Sequence, residues 1–280
     1  MDKVKQVFCI TQNIFLEEQT SRRVIMGYIL GIALFGYWLN NFVRYVWDTG
    51  EPVNILEAFI VVEHHDKTIL FLALGWLLII SDAPFIKRNT YLILCRSSRR
   101  KWNIAMWQYI MIQAFLYTAC IATVSIIACI FSGFSGSIWS SPVYDLAMDK
   151  GNNLGVKYNM TFGWTNIMEN MTVPQAFAVT FIFLFLYLAV LGNLLYVCSL
   201  LLKEIYGILI VFGIQISGYL LQQEGLGKFS FMAKAIPGYS YDENSGPWKT
   251  VCWFMGVVLI LTVISSCLIG RIDFMDTAEE

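Results

Sequence analysis

Two groups of residues in this chain have side chains able to make bonds or hold metals: Glu17-Glu18-x-x-x-Arg22 and Glu63-His64-His65-Asp66. A glutamate pair ahead of an apolar helix can activate water inside a membrane, provided that histidines on later spans complete the site. Here the only histidines are His64 and His65, adjacent to each other and across the first apolar run from the glutamates. The first group therefore reads as a helix-end charge cluster. The second contains metal-ligand types, but consecutive helical residues point to different faces and do not converge on one ion. The seven cysteines stand singly, without C-x-x-C, and most sit in or beside apolar runs as small hydrophobes. No G-x-x-x-x-G-K-[ST] occurs, so nucleotide hydrolysis by a P-loop is not expected of this chain. The reading is of a non-enzyme: no catalytic, cofactor-binding or metal residues are assigned.

The elements that would position these residues are apolar helices. The sequence has 280 residues, is 57% hydrophobic and only 14% charged, with a mean hydropathy of +0.60. Soluble domains carry about 25% charged residues, so the composition is that of a polytopic membrane protein. Nine Trp and fourteen Tyr suit a protein with two water–lipid interfaces. No cleavable signal is visible at the start, and nothing in the charge pattern calls for nucleic acid.

Residues 3–18 read as an amphipathic helix with Val4, Val7, Phe8, Thr11, Ile14 and Phe15 on one face, suited to the membrane interface. Spans follow at about 24–42, 68–81, 104–131, 175–202, 205–221 and 251–269. Gly27-x-x-x-Gly31 in the first permits close helix packing. The second is short and needs support from its neighbours, and the third is long enough to tilt or protrude. Between spans two and three, residues 83–103 hold Lys87, Arg88, Arg96, Arg99, Arg100 and Lys101 and no acidic residue. Lys and Arg translocate poorly, so this loop lies inside. Counting both termini as cytoplasmic gives twelve Lys and Arg inside and seven outside, of nineteen. Tyr91, Leu92, Leu94 and Cys95 would give the loop a short helix with an apolar face. The longest polar segment, 132–174, is rich in Gly, Ser and Asn and belongs outside. Residues 222–250 hold an apolar piece too short to span, which fits a re-entrant outer element. The fold class is all-α. The organisation is an interfacial helix (1–23) followed by one six-helix transmembrane domain (24–280).

That layout resembles the permease subunits of type-2 ABC exporters, especially the short six-span forms of Gram-positive bacteria. The matching positions are 3–18, the stretch 89–102 with its Ser97-Ser98-Arg99-Arg100-Lys101-Trp102 run, 229–239, and Arg271-Ile272-Asp273. The long outer loop 132–174 departs from the pattern. The resemblance implies a subunit in the cell membrane that forms a pathway with a second permease copy or paralogue. ATP and Mg would bind to separate ABC ATPase subunits, and this chain would hold no cofactor. It also implies a coupling element, with Tyr91, Leu92 and Leu94 filling a cleft on the ATPase and Arg96, Arg99, Arg100, Lys101 and Trp102 around it. The arginines and Lys101 would alternatively hold anionic membrane lipids. On the exit side Trp139, Trp164, Tyr239 and Trp248 are rigid aromatics suited to antimicrobial peptides or lipid-like substrates. A second reading is an immunity or sensor protein that binds a peptide outside without transport. The Glu17-Glu18-x-x-x-Arg22 box separately resembles that of CAAX-protease-like intramembrane peptidases, without their later histidines.

Overall fold

The apolar runs fold as helices, and a computed structural model gives their packing. It describes residues 3–83, 97–148, 154–160, 162–202, 204–242 and 246–270. In chain order the elements are α1 (Lys3–Gln19), α2 (Arg22–Thr49), β1 (Val53–Asn54), α3 (Glu57–Glu63) and α4 (Asp66–Ile80). They continue with α5 (Arg99–Cys129), β2 (Gly133–Phe134), α6 (Ser141–Met148), α7 (Leu154–Tyr158) and α8 (Thr165–Asn170). The last are α9 (Val173–Leu201), α10 (Glu204–Gln223), two single 3₁₀ turns (Gly227–Phe229 and Ala233–Ala235), α11 (Pro237–Asp242) and α12 (Gly246–Leu268).

Among the described residues, α2, α5, α9, α10 and α12 are long and apolar enough to cross a membrane. This is an all-α, multi-pass membrane architecture. The long helices begin and end for local reasons. Thr172 and Gln175 form a capping box at the start of α9, with Pro174 in its first turn. Gly50 stops α2 with a φ of 68° and donates its N–H to Val46 O at 3.1 Å. Helix α2 runs well past residue 42, where the first span was expected to end. Trp38, Phe42, Tyr45 and Val46 continue its buried stripe, while Arg44 and Asp48 occupy the opposite, exposed face.

Helix α4 has 15 residues, a length of about 22 Å at 1.5 Å per residue, short of a hydrocarbon layer about 30 Å thick. Its support comes chiefly from α2, through glycines. A Cβ on Gly27 would lie 2.5 Å from Ile79 Cγ1 and 2.8 Å from Gly75 O. The Tyr117 hydroxyl of α5 occupies the space beside Gly31 and Gly75 and donates to Leu72 O at 3.1 Å. The two helices are antiparallel. Arg23 near the start of α2 pairs with Asp82 and donates to Ser81 Oγ (3.2 Å) beyond the end of α4. Trp38, farther along α2, stacks on His65 at the start of α4 with centroids 4.2 Å apart.

Strands β1 and β2 pair in parallel, Val53 with Gly133 and Asn54 with Phe134. The ends of α2 and α5 that precede them therefore lie on the same side of the bundle. Buried α3 packs among α2, α5 and α9. Helix α9 is the most buried of the five long helices and touches α5, α10 and α12.

The amphipathic α1 forms, but it buries a different stripe from the expected one. Val7, Ile10, Thr11, Ile14 and Glu18 are buried, while Val4 and Phe8 are exposed. The reason is its docking on α5. Lys101 Nζ donates to Gln6 Oε1 (2.6 Å), Thr11 Oγ1 to Gln108 Oε1 (3.0 Å) and Gln113 Nε2 to Gln19 Oε1 (3.3 Å). Those pairs advance together, so α1 runs alongside the first part of α5 in the same direction.

The α2–α4 contact gives a matched test. Gly27→Leu should cost about 1–3 kcal/mol or more by overpacking and lower the thermal midpoint of the detergent-purified protein. Gly36→Leu, where nothing lies within 4 Å of the added Cβ, should leave it unchanged.

Candidate functional site

The end of the bundle at which α2 and α5 terminate holds a chain of aromatic rings drawn from four separate segments. Trp139 lies 6.5 Å from Phe162, Phe162 5.5 Å from His64, His64 6.5 Å from Trp164, and Trp164 4.9 Å from Tyr239, all between ring centroids. The His64–Phe162 and Trp164–Tyr239 pairs are edge to face, the other two tilted, and aromatic pairs of this spacing contribute about 0.5–1.5 kcal/mol each beyond simple burial. The rings are held in place by polar bonds. Trp139 Nε1 donates to Met171 O at 2.9 Å, and Gln222 Nε2 donates to Tyr239 Oη (3.1 Å) and to Asp66 Oδ1 (2.6 Å). The Trp164 ring lies against Gly238 so closely that no Cβ fits there.

Beneath this roof Glu57 anchors the outer loop. Its carboxylate accepts from Asn54 N (2.9 Å), Ser140 N (2.7 Å) and Ser140 Oγ (2.6 Å). Burial raises its pKa, and those three hydrogen bonds work against the rise. Asn54 Nδ2 adds a bond to Gly136 O at 2.8 Å. Beside the loop an open groove of about 450 Å³ is lined by Trp139, Tyr144, Met168, Glu169, Met171 and Gln175 among others.

Three of the four expected outer residues, Trp139, Trp164 and Tyr239, are thus brought into one cluster. Trp248 stands apart on the first turn of α12, 71% exposed. His64 and Phe162 are members that sequence reasoning missed. Phe162 carried no signal, since it sits in a Gly- and Asn-rich loop. His64 had one: a histidine beside FIVV on an apolar helix is commonly buried. The two histidines face different neighbours, His64 toward Phe162 and Trp164 and His65 toward Trp38.

At the other end, Tyr91, Leu92, Leu94 and Arg96 lie outside the described residues. Arg99 and Arg100 are exposed in the first turn of α5, and Lys101 is tied to α1. Trp102 is buried, 6.3 Å from the Tyr196 ring of α9. It anchors α5 to the bundle and offers little surface to a partner. The next residue, Asn103, accepts from Tyr196 Oη at 2.7 Å and donates to Ser265 Oγ and Ser266 Oγ of α12, both at 3.2 Å. Glu18 is buried, with Arg23 Nη2 at 4.0 Å, so the Glu17–Arg22 cluster lies in a charged helix-end arrangement with Arg23 and Asp82.

The chain matches no protein-family model, no curated protein and no solved structure. Its functional reading rests on its own residues.

Trp164→Ala should free α11 from α8 and raise proteolysis and hydrogen exchange across residues 227–242, at a cost of roughly 2–4 kcal/mol. Trp248→Ala should change neither measurement.

Proposed function

We propose that this chain is the transmembrane permease subunit of an ATP-driven ABC exporter, working in the cell membrane as a dimer of permeases with a separate ATPase on each. The observation that carries the reading is the anchorage of the basic end of α5. Lys101 holds α1, Trp102 packs on α9, and Asn103 bonds to α9 and α12. A push on residues 83–103 would therefore reach several helices at once, which is what a coupling element requires. In this reading α4 is a sixth span with both termini cytoplasmic. Its antiparallel pairing with α2 supports that, as does the common side on which α2 and α5 end. The mid-membrane polar side chains support helix contacts, as where Tyr187 donates to Gln215, so the energy for transport would come from ATP on the partner. The aromatic roof and groove would meet the substrate, an amphipathic peptide or lipid-like molecule.

The groove beside Trp139 also favours a second reading, a peptide-binding immunity or sensor protein that transports nothing. Co-purification separates the two. Leu92→Asp would place a charge in the docking face, cost several kcal/mol and release the ATPase. Arg99→Gln with Arg100→Gln should weaken binding by up to about 1 kcal/mol per charge, more at low salt. An ATPase that stays bound and fully stimulated by substrate with Leu92→Asp, in normally inserted protein, would sink the transporter reading.

A further inference from the structure

The joint between α3 and α4 holds two titratable side chains with almost no access to water. Glu63 is the last residue of α3 and His64 its C-cap, at 0% and 2% exposure. Among the described residues neither Glu63 oxygen has a hydrogen-bond partner. His64 Nδ1 lies 3.6 Å from Glu63 Oε2, beyond bonding distance, and donates instead to Ile60 O at 2.6 Å. That bond assigns the ring proton to Nδ1 and leaves Nε2 as an acceptor with no donor. One turn on, His65 Nδ1 and Thr68 Oγ1 are also unpartnered. Between the helices lie His64, still helical at φ −68° and ψ −5°, and the extended His65, with φ −85° and ψ 123°. Two short helices joined by two residues, with a carboxyl sealed between them, make a place where the chain can part.

The surroundings of the joint offer little to compensate a charge. From α2 come Phe35, against Phe59, and Trp38, against His65; from α9 comes Phe177; from the outer loop come Phe162 and Trp164. On α5, Cys129 interacts with Glu57, and Asn54 of β1 is bonded to Glu57. On α4, Asp66 is bonded to Gln222, and Lys67 acts on His65. Among the described residues, no cation reaches the Glu63 carboxyl and no carboxylate bonds to the His64 ring.

We propose that the α3–α4 joint is a proton-operated latch for the outer aromatic roof: it stays shut while Glu63 and His64 are both uncharged, and ionisation of Glu63 releases it. The closed state fits this requirement. Burial holds Glu63 well above the usual carboxylate range and pushes His64 down to about 4. In an open, hydrated joint the two groups return to ordinary values, near 4.5 and 6.5. From about pH 7.5 upward both histidines are largely neutral whether the joint is open or shut. Only Glu63 then differs, protonated when shut and ionised when open. The open state binds fewer protons, so opening gains about tenfold per pH unit until the closed-state value of Glu63 is reached. Below pH 6.5 the two histidines take up more protons on opening than Glu63 loses, which reverses that gain. The latch is therefore tightest near pH 6.5 and loosens toward alkaline pH. Opening withdraws His64 from Phe162 and Trp164 and frees the outer end of α4. The inner end of α4 leads into the basic segment, so the consequence for transport rests on the transporter reading, whereas the latch itself does not.

The test is hydrogen–deuterium exchange of residues 57–68 in the full-length protein in lipid nanodiscs, corrected for intrinsic exchange, from pH 6.5 to 8.5. The open population should rise with pH in the wild type, by at most tenfold per unit and most steeply once the histidines are neutral, and show no rise in Glu63→Gln. Glu63→Met, which removes the buried polar group altogether, should show none either and serves if the amide variant fails to fold. A flat wild-type profile, or an equal slope in both variants, would overturn the latch. Because no ATPase is present, that outcome leaves the transporter reading standing, and failed ATPase co-purification leaves the latch standing.

Discussion

Everything in this bundle depends on how closely α2 and α4 approach. Where Gly27, Gly31 and Gly75 meet there are no side chains to hold the backbones apart, and the Tyr117 hydroxyl fills what remains and bonds to a carbonyl of α4. Lipid gives apolar helices no reason to associate, so contact of this kind, in van der Waals packing and a few internal hydrogen bonds, has to supply it. A 15-residue helix cannot take its depth from the bilayer alone. It takes it from α2. That one pairing fixes both ends of α4, the histidine joint at its start and Asp82, held by Arg23, beyond its end.

The two ends of the molecule are then built from different materials. One end is aromatic: rings from segments distant in sequence meet edge to face or tilted, with a few carbonyls and amides fixing their angles. The other is a set of side-chain hydrogen bonds linking α1, α5, α9 and α12 through Gln6, Lys101, Asn103, Tyr196 and Ser265. Ring contacts tolerate sliding, whereas hydrogen bonds weaken steeply with distance and angle. A ring-packed end opposite a hydrogen-bonded one is a division that suits the proposed function.

Much of this was legible in the sequence because it depends on hydrophobicity alone. Long apolar runs gave long helices, and the glycine pair in the first span marked the close contact. Residues 43–67 were the weak point. Their charges lie between two apolar runs and carry no local sign of burial, yet Glu57 and Glu63 are buried. The first is stabilised by backbone and hydroxyl donors from Ser140, more than eighty residues away. No local pattern reports such a partner. The same limit explains α1. Its apolar face is broad enough that periodicity alone does not choose the docking stripe, and the choice falls to Gln108, Gln113 and Lys101 on another helix. At the outer site the aromatic types were readable but their company was not, since His64 joins the rings from a helix that sequence reading did not place beneath the loop.

The parallel pairing of β1 with β2 carries a consequence for biogenesis. Two strands that run side by side in the same direction cannot be joined by a hairpin. Here the connection is the whole of α3, α4 and α5. The donors that satisfy Glu57 arrive only after α5, with Ser140. A ribosome-bound chain that has released α2 to α4 therefore holds a carboxyl group destined for the interior with only Asn54 N to serve it. The outer surface closes when the following helix has been threaded through the translocation machinery. Insertion of the first half is completed by the second, and a chain interrupted between them would present an unfinished polar edge to whatever surveys the membrane for misassembled proteins.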